Sequence, residues 1–174
     1  MSLAQDMANT FSKDKEKRVG CILLDPKTLF IRATGYNGTA LGASDSDEKW
    51  MRPNKQFHIM HAELNAICAA ARHGTSLEGS VCVVTYHPCS SCARALIQAG
   101  VSHVVTRNPQ YDHPRWGHEF TQADELFKET GVGVTYCGVS CGVSPPRDEG
   151  AKGDAAPRDE ERCPCPSPAA LEIV

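Results

Sequence analysis

Three things are scarce in this 174-residue sequence, and each scarcity removes a class of protein. No stretch approaches the ~20 consecutive apolar residues that a membrane-spanning helix needs, so a helical membrane protein is excluded. Aromatic residues make up only 6% of the chain. Basic residues are outnumbered by acidic ones, 18 to 21, for a net charge of −3. Proteins that grip long nucleic acids carry a basic footprint and stacking aromatics, so a small-molecule partner fits this balance better than nucleic acid. The first eleven residues are polar and mixed, with no signal-peptide pattern, and the expected location is the cytoplasm.

Apolar residues, at 41%, suffice for one packed core. Cysteine is plentiful, with nine residues. In a reducing compartment a C-x-x-C pair reads as metal-binding or redox-active rather than as a structural disulfide. The composition changes near residue 138. Residues 139–174 hold six of the eleven prolines among charged and small residues, which predicts a disordered tail behind a folded domain over residues 1–138. Cys163 and Cys165 in that tail read either as accidental cysteines or as a metal-binding CPC.

Within the domain, residues 19–24 and 29–34 predict a hairpin about the turn at Asp25-Pro26. Residues 35–56 predict a long loop, of the kind that is usually functional or disordered. Residues 61–72 place Leu64, Ile67, Cys68 and Ala71 at helical spacing, with Gly74 as the stop. Strands are then expected over 80–85, 101–106 and 132–136, alternating with helices over 90–99 and 121–129. An opening hairpin followed by strand–helix alternation predicts an α/β domain with a mixed five-stranded sheet.

The chemistry concentrates in two places. His61-Ala62-Glu63 opens one predicted helix, and Pro88-Cys89-Ser90-Ser91-Cys92 joins a strand to the next. One imidazole and two thiolates give zinc three ligands and leave a fourth position open, as a catalytic site requires and a structural one does not. Zinc in such a site lowers the pKa of its water from ~15.7 to about 7. Cys89 and Cys92 lie at a helix N-terminus, where free N–H groups favour thiolate. Glu63, two residues from a ligand, reads as the proton shuttle. A lone H-x-E or a lone C-x-x-C is weak; a thioredoxin-like pair would leave His61 and Glu63 without a role. Jointly they resemble the H-x-E and P-C-x-x-C signature of zinc nucleobase deaminases.

The surrounding segments resemble the deoxycytidylate (dCMP) deaminase family of the cytidine deaminase-like superfamily. The likeness spans residues 4 to 136 and rests on SKDKEKRVG (12–20), GYNG and GASDSD (35–38 and 42–47), HAELNAI (61–67), VTYHPCSSCARALIQAGV (84–101) and YDHPRW (111–116). The resemblance implies a three-layer α/β/α fold and zinc-dependent hydrolysis of dCMP to dUMP and ammonia. His61, Cys89 and Cys92 would hold one zinc ion, with Glu63 as acid and base. It further implies substrate contacts from Asn37, Asn65 and Tyr111. Asn37 reads equally as turn chemistry, Asn65 as a solvent-facing helix position, and Tyr111 as packing. For the phosphate, Arg18 is preferred over Lys15 and Lys17, with Arg52, Lys55 and Arg115 unranked. A homo-oligomer, hexameric by resemblance, is implied. So is an effector loop at Gly42, Ser44 and Asp45 that takes a nucleotide with Mg2+, although Thr39-Ala40 departs from the family's proline-containing pair. Alternative substrates are dCTP, 5-methyl-dCMP or a nucleoside. A tRNA- or ssDNA-editing enzyme and a non-catalytic zinc module are the remaining readings. His87 is expected in the wall of the site rather than on the metal.

Overall fold

The computed structural model describes residues 1–138. The tail expected over residues 139–174, with Cys163 and Cys165, lies outside them. Helix α1 (Ser2–Phe11) leads into β1 (Gly20–Leu24), which turns back into β2 (Ile31–Tyr36). A short ladder joins β3 (Gly38–Thr39) to β4 (Ile59–Met60), with α2 (Asp47–Trp50) and α3 (Lys55–His58) between them. Then follow α4 (Ala62–Arg72), β5 (Val81–Val84), α5 (Ser90–Gln98), β6 (His103–Arg107), α6 (Gly117–Thr130) and β7 (Gly133–Cys137). The main sheet runs β2-β1-β5-β6-β7. Its first three strands pair antiparallel and its last three parallel, so the expected mixed five-stranded sheet is present.

The strand period of two sorts the core into layers. Ile22 and Leu24 of β1, with Val81 and Val83 of β5, pack against Ala4, Met1 and Met7 at α1. The alternate residues Cys21, Leu23, Cys82 and Val84 pack on the opposite side against α4, α5 and α6. The result is α1 on one face and three helices on the other. No helix among the described residues is long and apolar enough to cross a membrane.

Helix α4 meets the sheet through alanines. Ala62, Ala66 and Ala70, four residues apart and so on one helical face, are all buried. Opposite them β2 carries Gly35. A Cβ there would stand 2.2 Å from the carbonyl oxygen of Ala62 and 2.5 Å from the nitrogen of Ala66. The missing side chain therefore sets how near the helix lies to the strand. On the far flank α6 buries Phe120 and Phe127 instead.

Several boundaries differ from the sequence expectation, three of them for a readable local reason. The second hairpin strand starts at Ile31, not residue 29, because Asp25 accepts hydrogen bonds from the N–H groups of Lys27 and Thr28 and Leu29 turns with φ 59°. The long loop over 35–56 contains β3 and two four-residue helices, too short to show a period. Helix α6 begins at Gly117 rather than at 121, its added turn carrying Phe120 into the core. Gly35→Ala is expected to lower stability by about 1–3 kcal/mol, since overpacking here meets main chain. The check is the urea midpoint, and an unchanged midpoint would show that α4 can move outward freely.

Candidate active site

Helices α4 and α5 begin close together. His61 is the N-cap of α4 and Cys89 the N-cap of α5, and neither side chain caps its own helix. Both are free to turn toward a common point. Cys92 lies three residues after Cys89, hence on the same face. His61 Nδ1 stands 3.5 Å from Cys89 Sγ and 3.4 Å from Cys92 Sγ. All three donor atoms lie within 4.8 Å of one another. Zinc at ordinary bond lengths and tetrahedral angles separates its nitrogen and sulfur ligands by about 3.6 Å. The donor set and its spacing therefore fit zinc.

The helix starts add electrostatic support, because unpaired N–H groups and the aligned peptide dipoles favour negative charge. The hydrogen bond with Cys92 holds the Cys89 thiol down to about 4. The same bond, with burial, pushes Cys92 up. The hydrogen bond with Cys89 also pushes His61 up. Glu63, one residue into α4, is 3% exposed, and burial raises its carboxyl above the usual range. From α6, Glu119 Oε2 accepts from the Ser90 N–H at 3.2 Å and from the Ser90 hydroxyl at 2.5 Å, closing the start of α5.

These groups open on a cavity of about 480 Å³. His61, Glu63 and Cys89 line it, with Trp116, Phe120, Tyr86 and His87 among the walls. The Trp116 ring meets the His61 ring edge-on at 6.0 Å. Four cations also line it: Lys17, Arg52, Lys55 and Arg115. Lys55 is neutralised by Asp14 at 2.8 Å and Glu16 at 3.0 Å. Arg52 reaches Glu16 at 3.8 Å. Lys17 and Arg115 have no ion-pair partner among the described residues. Lys17 stands over the Tyr86 ring at 4.1 Å, and Arg115 over Trp116 at 4.9 Å. Burial, then the charge of Arg107, pulls Lys17 below its ordinary value.

The remaining sequence candidates fall in different places. Asn37 lines the cavity but its amide is committed internally. It accepts from Ser12 Oγ and the Val19 N–H, and donates to Asp14 Oδ2 and the Lys17 carbonyl. Asn65 donates to the Tyr36 carbonyl at 2.7 Å and lies outside the cavity lining. Arg18, preferred from sequence for the phosphate, donates to the carbonyls of Asp14 and Asn9 and does not line the cavity. Its neighbour Lys17 lines the cavity instead, because the turn around Asp14 aims residue 17 inward and residue 18 back along α1. Lys15 is exposed near Asp47. Tyr111 is 52% exposed and bonds Asp124 rather than facing the cavity. Gly42, Ser44 and Asp45 form an exposed loop, with Lys49 donating to Ser44 and Trp50 and Lys13 bonded to Asp45. His87 is a wall residue, as expected. Asp14, Glu16 and Gln110 also line the cavity and were not singled out by motif. Asp14 sits in the same SKDKEKRVG segment, whose charges were weighed only as cations.

A family model for the cytidine and deoxycytidylate deaminase zinc-binding region matches residues 1–108. The chain is 36% identical over 132 residues to an uncharacterized deaminase in the luxG 3' region of Aliivibrio fischeri, covering 75% of this chain and 86% of that one. It is 33% identical over 127 residues to the deoxycytidylate deaminase of Homo sapiens, covering 70% and 68%. Among solved structures, dCMP deaminase from the cyanophage S-TIM5, in complex with dCMP and dUMP, superposes with a TM-score of 0.63 at 27% identity, covering 78% of this chain and 92% of that one.

Cys89→Ala is expected to lose zinc and unfold at lower temperature, because binding energy at such a site is also folding energy. Elemental analysis alongside a melting curve measures both, and full zinc occupancy in the variant would contradict the ligand set. Asp14 gives a pH test. Burial raises its carboxyl, but the hydrogen bonds from Lys55 and from the N–H groups of Glu16 and Lys17 outweigh burial and leave it below its ordinary 3.8. A depressed folded-state value stabilises fully above 3.8 and is lost as the pH falls through the folded value. Denaturant midpoints should therefore drop more steeply below pH 4 for the native chain than for Asp14→Asn. Parallel acid limbs would remove Asp14 from this role.

Proposed function

This chain belongs to the cytidine and deoxycytidylate deaminase family, and we propose that its reaction is hydrolysis of dCMP to dUMP and ammonia. The observation that carries the proposal is one cavity whose lining holds His61, Glu63 and Cys89 of the His61, Cys89 and Cys92 donor set together with two cations, Lys17 and Arg115, that have no ion-pair partner among the described residues. His61 Nδ1 and the two thiolates would hold the zinc ion. Zinc there supplies Lewis acidity, which makes water a usable nucleophile near neutral pH.

The chain's own groups do the rest. Glu63, shielded from bulk water, takes a proton from the attacking water at a carboxylate oxygen and delivers it to N3 of the cytosine ring as C4 is attacked. It then takes the proton of the new C4 hydroxyl and passes it to the departing amino group, so that C4 becomes a carbonyl, water is consumed and ammonia leaves. Trp116, Phe120 and Tyr86 give the base a flat apolar slot. Lys17 and Arg115 face the 5′-phosphate, and two free cations match the charge of a monophosphate. Asn37 supports this end by fixing the loop that presents Lys17. Asn65 acts similarly by tying α4 to the end of β2. A cytoplasmic setting, homo-oligomeric assembly and a magnesium–nucleotide effector at Gly42, Ser44 and Asp45 belong to the same reading, supported by family likeness and by the exposure of that loop.

A substrate panel of dCMP, dCTP, 5-methyl-dCMP and deoxycytidine tests the proposal. dCMP should give the highest kcat/KM. Glu63→Gln should retain zinc and lose roughly 10²–10⁴-fold in kcat. Arg115→Ala should raise KM for dCMP and leave any turnover of deoxycytidine unaltered. Activity confined to the nucleoside overturns the nucleotide assignment. Tight oligonucleotide binding at physiological salt would instead favour an editing enzyme.

A further inference from the structure

Asp124, on α6, gathers three donors from three separate parts of the chain. Its Oδ1 accepts from His87 Nε2 at 3.0 Å and from the Tyr136 hydroxyl at 2.8 Å. Its Oδ2 accepts from the Tyr111 hydroxyl at 2.5 Å. A carboxylate can only accept, so Nε2 carries the proton in this contact. Burial pushes both tyrosine hydroxyls up, which keeps them as donors.

Two of these donors lead to the active site. His87 is 3% exposed and lies against the rings of Phe120 and Tyr136. In the chain His87 is followed by Pro88 and then by Cys89, so its ring is anchored two residues from the first thiol. Holding His87 therefore holds the turn that presents the two thiols. Tyr111 heads the segment that sends His113, Arg115 and Trp116 into the cavity wall. That segment is fixed at its far end too, since a Cβ on Gly117 would stand 2.0 Å from the Tyr111 carbonyl oxygen. Neither Asp124 nor Tyr111 lines the cavity.

We propose that Asp124 is a positioning residue that ties the substrate-side segment 111–116 to the metal-holding turn 87–92, with Tyr111 acting on the substrate only through it. The kinetic part rests on the dCMP reading; the metal part does not. One outer hydrogen bond is worth about a three- to tenfold effect.

The experiment compares the full chain with Tyr111→Phe, Asp124→Ala and the double variant, by dCMP kinetics and by zinc affinity from chelator competition. Tyr111→Phe should raise KM about three- to tenfold with kcat and zinc affinity kept. Asp124→Ala should raise KM similarly and also weaken zinc binding about three- to tenfold. Adding Tyr111→Phe to Asp124→Ala should cost nothing further, the non-additivity expected of residues acting through one partner. Multiplying losses in the double variant, or native zinc affinity in Asp124→Ala, overturns the proposal. If Asp124→Ala does not fold, Asp124→Asn keeps the volume, replaces one acceptor by a donor and is read the same way. If the native chain does not turn over dCMP, the substrate reading fails while the zinc measurement still decides whether Asp124 braces the turn.

Discussion

Two helices that start at one point are the constraint on which the rest of this molecule depends. A helix start leaves N–H groups without intrahelical partners, and its dipole presents partial positive charge. Bringing the starts of α4 and α5 together would be unfavourable unless anionic groups met there. Cys89, Cys92 and Glu63 supply that negative character, and His61 completes a donor set that suits a cation of higher charge. Each helix contributes its cap residue, so ligand placement is a property of the backbone rather than of long, flexible side chains. The parallel half of the sheet positions α5, and the hairpin half positions α4.

The cavity follows from this arrangement with a division of labour in its lining. The metal donors come from regular structure. The cations come from connections: the turn at Asp14, the segment holding α2 and α3, and the stretch before α6. Carboxylates there do as much as cations. Asp14 and Glu16 neutralise Lys55, while Lys17 and Arg115 have no ion-pair partner among the described residues. A count of basic residues in the sequence would overstate the pull on an anion.

Legibility in the sequence follows the same division. The sheet, its mixed character, and the gathering of His61, Glu63, Cys89 and Cys92 could be read because each depends on local spacing: two residues for H-x-E, three for the thiols, and strand and helix periods for the scaffold. The cations could not be ranked, because they are assembled from segments far apart in the chain. Whether Lys17 or Arg18 faces inward depends on one turn of backbone, set by the Asp14 carboxylate that binds the N–H groups of Glu16 and Lys17. Asn37 and Tyr111 stood out only through the family resemblance, and their partners, Asp14 and Asp124, carry no motif. The helices of four residues between β3 and β4 were too short to show periodicity.

The contact between α4 and β2 has an evolutionary consequence. On that flank the helix is held at its distance by the smallness of Gly35, Ala62, Ala66 and Ala70, so almost any enlargement translates the whole helix and carries a ligand with it. On the α6 flank, where Phe120 and Phe127 fill space, a change of volume can be absorbed by repacking of neighbouring rings. Sequence drift in this chain should therefore be lopsided: conservative in size along one side of the sheet, and freer in shape along the other.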